Sequence, residues 1–464
     1  MTGEFDLLIA GGQIVTPDRV IAGSIGITDG KIARVCRPAE RPAARTRLDA
    51  RGLHILPGLI DTHVHIRAPA RPDREDFVSG TSAAAAGGIT TILEMPISDP
   101  PVNSAARLTR RRAQLQPHAL IDFGLYGSLS PDNVAEIPLM VEAGAIAFKT
   151  FMTNPPPGRE DEFVGLCCPD PADLHDLMAA VAQTPLLHCF HCEHAGLLEL
   201  FLGKVRASGK ITGLAHARSA PPIVEELAVA DLLVFAELFR SRVQIVHLSS
   251  FKAAQLAKEA KAKGVDVSVE TCPQYLFLTM EELAKHGPFA KCNPALRTAE
   301  EVAALWPYLL DGTIDVVGSD HSPYVVSEKA VGQDDIFRAT AGVPGLESML
   351  PLMLTAVNQG RLTLPALTRL TSLNAARRFR LATKGQIKTG LDADLALVDM
   401  DADWSFDRRR TFSKGGINMQ AYHGLPLRGQ VRTTLVRGEV VFQEGQITMH
   451  PGHGQCLVPD ARSG

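Results

Sequence analysis

The 464-residue chain carries a formal net charge of −4 with acidic and basic side chains interspersed, so it lacks the one-signed field that nucleic-acid binding needs. Its start, Met1-Thr2-Gly3-Glu4-Phe5-Asp6, is acidic where a secretory leader is basic, and no apolar run reaches membrane-spanning length, which predicts a cytoplasmic protein with neither membrane nor nucleic acid as partner. Eight cysteines without regular spacing are expected as free thiols, and Cys189 and Cys192, though a C-x-x-C, are expected to pack as small apolar groups.

From the N-terminus, residues 6–53 alternate apolar and polar positions around Gly11-Gly12 and Asp29-Gly30, as β-hairpins do. From residue 55 to 320 a different theme repeats, an apolar strand followed by a polar loop and an Ala-rich or amphipathic helix. Strands are expected at 55–60, 89–94, 120–126, 145–151, 185–191, 243–248, 265–270 and 314–318, with helices at 78–86 (opened by Asp76), 172–182, 225–239 and 252–263, and with Gly87 and Gly264 as stop signals. Eight such strands predict an α/β chain folded as a (β/α)8 TIM barrel. Residues 390–441 return to hairpin alternation. Neither end is long enough for a sandwich alone, so both are expected to build one small β-sandwich domain, 1–54 with 384–464, flanking a catalytic barrel at 55–383.

His63 and His65 lie two apart at the end of the first barrel strand, so both imidazoles face the same way and can reach one cation. Lys149, His191, His247 and Asp320 each fall at or just after a later strand. In a barrel of this kind the chemistry gathers at the carboxyl ends of the strands, and all six candidate ligands are expected there. His188 competes with His191 for one place; three residues apart on a strand, the two must face opposite sides.

Asp61-Thr62-His63-Val64-His65, Gly80-Thr81 through Ala86-Gly87-Gly88-Ile89-Thr90-Thr91, Phe148-Lys149-Thr150-Phe151, His191-Cys192-Glu193, Val246-His247-Leu248-Ser249-Ser250, Glu270-Thr271-Cys272-Pro273-Gln274-Tyr275-Leu276 and Gly318-Ser319-Asp320-His321-Ser322-Pro323 together resemble the cyclic amidohydrolases, the group of hydantoinases, dihydropyrimidinases, allantoinases and dihydroorotases. The resemblance runs over nearly the whole chain, including Lys384-Gly385-Gln386-Ile387 and Leu391-Asp392-Ala393-Asp394-Leu395. It implies two divalent metal ions, zinc first with manganese or cobalt accepted by the same donors. His63, His65 and Asp320 would hold one ion and His191, favoured over His188 by its H-C-E context, would hold the second with His247. Lys149, carboxylated by carbon dioxide, would bridge them; a free ammonium would be repelled there, whereas a carbamate is an anionic two-oxygen ligand. The implied reaction is ring opening of a cyclic amide or ureide by a metal-bridging hydroxide, with Asp320 as the base and then the acid. A homo-oligomer, dimer or tetramer, is implied as well.

Segments around the site divide over the small-molecule substrate. Arg67, in His63-Val64-His65-Ile66-Arg67, resembles the arginine that binds the substrate carboxylate in dihydroorotases, but Met95-Pro96-Ile97 lacks the asparagine that helps it. Gln274 leans towards hydantoinases and dihydropyrimidinases. Lys291-Cys292-Asn293 and Gly342-Val343-Pro344 resemble the segments that face the ring, which makes Asn293 and Pro344 candidate substrate contacts, although Pro344 has no N–H to donate. Ser319-Asp320-His321-Ser322-Pro323 is closer to allantoinases, and the loop at 154–163 lacks the tyrosine of typical hydantoinases. The expectation is a hydantoinase- or dihydropyrimidinase-like hydrolase, with an allantoinase- or dihydroorotase-like activity as its alternative. A linear N-acyl amino acid hydrolase using the same centre stands behind both, as does a non-catalytic scaffold, against which the presence of all six ligand types argues.

Overall fold

The computed structural model describes residues 4–460. The chain opens with β1 (Phe5–Val15), β2 (Val20–Thr28), β3 (Lys31–Cys36), β4 (Ala44–Asp49) and β5 (His54–Pro57), and closes with β15 (Leu395–Ser405), β16 (Pro426–Val436), β17 (Glu439–Gln443) and β18 (Gln446–Ile447). These strands form one nine-stranded sheet in the order β18-β17-β16-β15-β5-β1-β2-β3, with β4 parallel to the first half of β1. Both chain ends therefore share one β-sandwich domain, whose core gathers Ile9, Ile14, Ile25, Ile55, Leu395, Leu397 and Leu435.

Between them run the barrel strands β6 (Leu59–Val64), β7 (Ile89–Glu94), β8 (Asp122–Leu125), β9 (Gly127–Ser128), β10 (Phe148–Phe151), β11 (His188–His191), β12 (Val243–Ile245), β13 (Val267–Thr271) and β14 (Val316–Val317). β8 and β9 are one barrel strand interrupted at Tyr126: the first part pairs with β7 and the second with β10, all parallel. The ring closes where Val64 bridges His321, with His65 N–H donating to the His321 carbonyl at 2.8 Å. Eight strand positions with helices outside them make a (β/α)8 barrel.

The single strand expected over 55–60 is in fact two. His54–Pro57 belongs to the sandwich sheet, and the barrel strand starts only at Leu59. The switch falls at Gly58, where a Cβ would come within 2.2 Å of the Thr90 hydroxyl. An unbroken apolar run cannot reveal a change of sheet, since both sheets bury it.

The helix over Phe77–Ala86 starts as expected at Asp76, whose carboxylate accepts the Ser79 N–H at 2.7 Å, a cap worth about 1 kcal/mol. All eight cysteines are free, with Cys189 and Cys192 buried against Tyr126 and the Phe190 carbonyl. Among the described residues no helix is long and apolar enough to cross a membrane.

Candidate metal centre

Three ligand atoms at or just beyond the carboxyl ends of the two strands at the barrel seam stand in a near-equilateral triangle. His63 Nε2 lies 3.2 Å from His65 Nε2, and Asp320 Oδ1 lies 3.4 and 3.3 Å from those two nitrogens. Donors bonded tetrahedrally at about 2.0–2.1 Å to a divalent ion stand about 3.3 Å apart, so the triangle has the dimensions of one face of such a site. The His63 ring donates its Nδ1–H to Glu270 Oε1 at 2.8 Å, which leaves the Nε2 lone pair for the centre of the triangle.

A second pair of donors adjoins it. His191 Nδ1 and His247 Nε2 are 2.9 Å apart, and His191 Nε2 is tied to Glu193 Oε2 at 2.8 Å, so the nitrogen facing His247 is the bare one. The four rings form a chain, His65–His63–His247–His191, with centroid separations of 5.0, 5.1 and 4.6 Å. Burial pushes all four imidazoles below their ordinary range, His63 to about 4, so each is neutral at pH 7 and presents a lone pair.

Lys149 completes the set. Its residue is fully buried, its amine has no hydrogen-bond partner among the described residues, and it sits 4.7 Å from the centre of the Phe151 ring, which in turn stacks on His191. A buried ammonium left without an acceptor is strongly disfavoured. Burial accordingly lowers the affinity of this amine for a proton, while the Asp320 carboxyl is pushed up by its own burial against the pull of Lys149.

His188 does not join the cluster. Its Nε2 is 2.8 Å from the Thr150 hydroxyl and its ring lies against Phe190, on the far side of the strand from Lys149. Arg67 lines the adjoining cavity, with Nη1 donating to the carbonyls of His65 and Pro323 and Nη2 to Ser322 and Tyr324. Asn293 lines the same cavity of about 1030 Å³. Pro344 does not: among the described residues Gly342 is the member of that segment on the cavity wall, and Pro344 packs behind it towards Gly415.

Three of the site residues hold a left-handed backbone that costs a non-glycine residue about 1–3 kcal/mol: Arg67 at φ 60°, His247 at φ 41° and Asp320 at φ 50°. Buried carboxylates pin two of them. Glu94 accepts the N–H groups of Ile66 and Arg67 at 3.0 and 2.8 Å and is paired with Arg111, while Glu270 accepts the His247 N–H at 3.2 Å.

Glu270 is the residue that sequence reasoning left without a role. Besides His63 and His247 it binds the Thr62 hydroxyl at 2.5 Å and the Gln244 amide at 3.2 Å, so one carboxylate orients the ligands of both pairs. It reaches them because Gly318 leaves space; a Cβ there would lie 3.1 Å from the Glu270 carboxyl carbon. Burial works against its charge, but His63 and Thr62 bring it below the ordinary carboxylate range. Glu270→Gln is expected to keep the fold while lowering metal affinity about 10–100-fold, the usual cost of losing an outer partner of a ligating histidine. Competition with a chromophoric chelator measures this, and unchanged affinity would dismiss the orienting role.

A model of the amidohydrolase family matches residues 54–441. An allantoinase of Deinococcus radiodurans is 37% identical over 98% of this chain and 99% of its own length, and a dihydroorotase of Methanothermobacter thermautotrophicus is 32% identical over 98% of this chain and 97% of its own. Among solved structures, an L-hydantoinase from Arthrobacter aurescens superposes with a TM-score of 0.93 at 32% identity, covering 98% of this chain and all of that one.

Proposed function

Because the chain belongs to the amidohydrolase family and is a hydrolase acting on cyclic amides, we propose that it opens the ring of a cyclic ureide at a two-ion centre held by His63, His65, Lys149, His191, His247 and Asp320. The triangle of His63, His65 and Asp320 carries this reading, since three buried donors spaced for one cation have no comparable structural purpose. The donor set fits zinc, with manganese or cobalt as its competitors. The partnerless, fully buried amine of Lys149 supports its conversion to a carbamate: the ammonium sheds one proton to solvent, the free amine nitrogen attacks carbon dioxide and releases a second, and a stranded cation is replaced by an anion.

When bound, divalent ions of this kind lower the pKa of water towards neutrality and polarise an amide carbonyl. The chain's own residues supply the remaining parts. Asp320, whose burial raises its affinity for a proton, accepts one on its carboxylate and returns it to the leaving ring nitrogen. Glu270 and Glu193 hold the imidazoles in the tautomers that keep their lone pairs inward. Arg67, bonded to the His65 carbonyl and lining the cavity, would offer its positive charge to a polar group of the substrate.

Among substrates, a ring with a polar substituent, as in allantoin, stands ahead of a simple hydantoin. Similarity to allantoinases supports this over the hydantoinase- or dihydropyrimidinase-like expectation, and so does the arginine-rich wall, which suits a polar group and not an alkyl one. Metal-loaded protein is incubated with allantoin, hydantoin, dihydrouracil and dihydroorotate while ring opening is followed. Turnover of a ring with a polar substituent above the two unsubstituted rings is expected. A chain that holds two metal equivalents yet opens none of the four, nor any wider set of cyclic amides, would overturn the proposal.

A further inference from the structure

Two buried amines at the cavity wall take no part in the chemistry proposed above. Lys291, just after the 3-10 turn Gly287–Ala290, donates from Nζ to the carbonyls of Ile336 and Ala339 at 2.9 and 2.6 Å. Lys329, in the short helix Val326–Ala330, donates in turn to the carbonyls of Lys291 and Thr340, each at 3.1 Å. The Lys291 carbonyl also accepts the Gly342 N–H at 2.9 Å, and the Glu328 carbonyl accepts the Thr340 N–H at 3.2 Å. Two stretches, 291–293 and 339–342, are thereby laced together, and residues of both line the cavity alongside His63, His247 and Asp320.

Neither stretch belongs to a helix or a strand, so no ladder of backbone bonds fixes it. Side chains do so instead. His216 Nε2–H donates to the Cys292 carbonyl at 2.8 Å and the Tyr275 hydroxyl to the Pro294 carbonyl at 2.8 Å, so the carbonyls of residues 291, 292 and 294 are all held from within the protein. Asn293 alone is exposed among residues 288–297. Burial pushes Lys291 down to about 8 and Lys329 to about 7, and the hydrogen-bond partners of both amines among the described residues are backbone carbonyls only. A methionine would fill either place without desolvating a charge, so packing alone does not account for the two lysines.

We propose that Lys329 is a positioning residue for substrate binding: by joining the Lys291 and Thr340 carbonyls it fixes the wall around Asn293 and Gly342, and so governs how tightly the ring is held and not how fast it is opened. Lys291 and His216 steady the same wall through their own carbonyl partners. The inference rests on the ring-opening reading for the identity of the substrate only; the lacing itself involves no candidate metal ligand. A wall that is loose in the free protein must be ordered when substrate arrives, and the cost of that ordering is subtracted from affinity. Once substrate is bound the cost is already met, which leaves the later steps untouched.

Lys329→Met keeps the length of the side chain and removes its donors. Kinetics are measured on the metal-loaded full chain with whichever of allantoin, hydantoin, dihydrouracil or dihydroorotate the wild-type protein opens. The variant is expected to raise KM about tenfold while kcat stays within about twofold and metal content is unchanged, the signature of lost binding shared by ground and transition states. Lys329→Gln, whose shorter amide still donates, is expected to recover part of the affinity. Hydrogen exchange followed by mass spectrometry without substrate reads the wall itself: peptides over 288–297 and 336–343 are expected to exchange faster in Lys329→Met than in the wild type, with 59–65 unchanged. An unaltered KM, a kcat that falls as far as KM rises, or unaltered exchange in the two wall peptides would each overturn the proposal. A variant that unfolds or sheds its metal would do so as well, making Lys329 a support of the core alone. A wild-type chain that opens none of the four rings sinks the ring-opening reading instead, and the exchange comparison then decides on the wall by itself.

Discussion

Replacing Lys149 by alanine is expected to abolish turnover and strip most of the bound metal, with short carboxylic acids restoring part of both. Loss of a group that only orients a ligating histidine costs about 10–100-fold in metal affinity, and a bridge shared by two ions should cost more than the upper figure. The rescue is the diagnostic part. Alanine leaves a space in the barrel beneath His191 and Phe151, and a free carboxylate entering it can supply the two oxygens that a carbamate would have supplied. Plasma-emission metal analysis and turnover in rising acetate or propionate measure the effect. Wild-type metal content in the mutant would remove Lys149 from the centre, and metal loss without any rescue would leave it a ligand of some other form.

Asp320→Asn is expected to separate binding from chemistry. Asparagine keeps an oxygen beside His63 and His65 but cannot take a proton, so metal should largely remain while turnover falls about 10²–10⁴-fold, the range for a positioned general acid–base. Near-normal turnover in a metal-replete variant would dismiss the proton-transfer role. Equal loss of metal and rate would reduce Asp320 to a ligand. The left-handed backbone at this position, φ 50°, tolerates asparagine better than most residues, which keeps the test clean of folding effects.

Much of this arrangement was legible in the sequence, for a definite reason. The strand at 89–94, and the run at 243–248 of which the structure makes a strand over Val243–Ile245, announce themselves by short β-branched stretches, and a barrel brings the residues at their carboxyl ends to one rim whatever the loops do. His191 and His188 could be told apart only by strand parity and context, and the structure places His191 against His247 while His188 turns to Thr150. What the sequence could not supply depends on contacts between distant segments. Glu270 looks like any carboxylate at a strand end until it is seen reaching His63, and Lys291, Lys329 and Thr340 come together only because separate segments meet at the cavity wall. Pro344 lies off the cavity wall for the same reason. Its segment turns at Gly342, φ 142°, so the backbone that faces the cavity lies two residues earlier.

The barrel closes by a thin seam, Val64 against His321 and one backbone bond from His65, between its first and last strands. His63 and His65 stand on one lip of that seam and Asp320 on the other. A cation gripped by all three would therefore act as a rivet as well as a reagent, fastening segments that lie far apart along the chain, where the entropic toll of bringing ends together is already met by the rest of the ring. Occupancy and mechanical integrity would then be one property, with the loaded enzyme drawn towards its closed form in proportion to how tightly the ion is held.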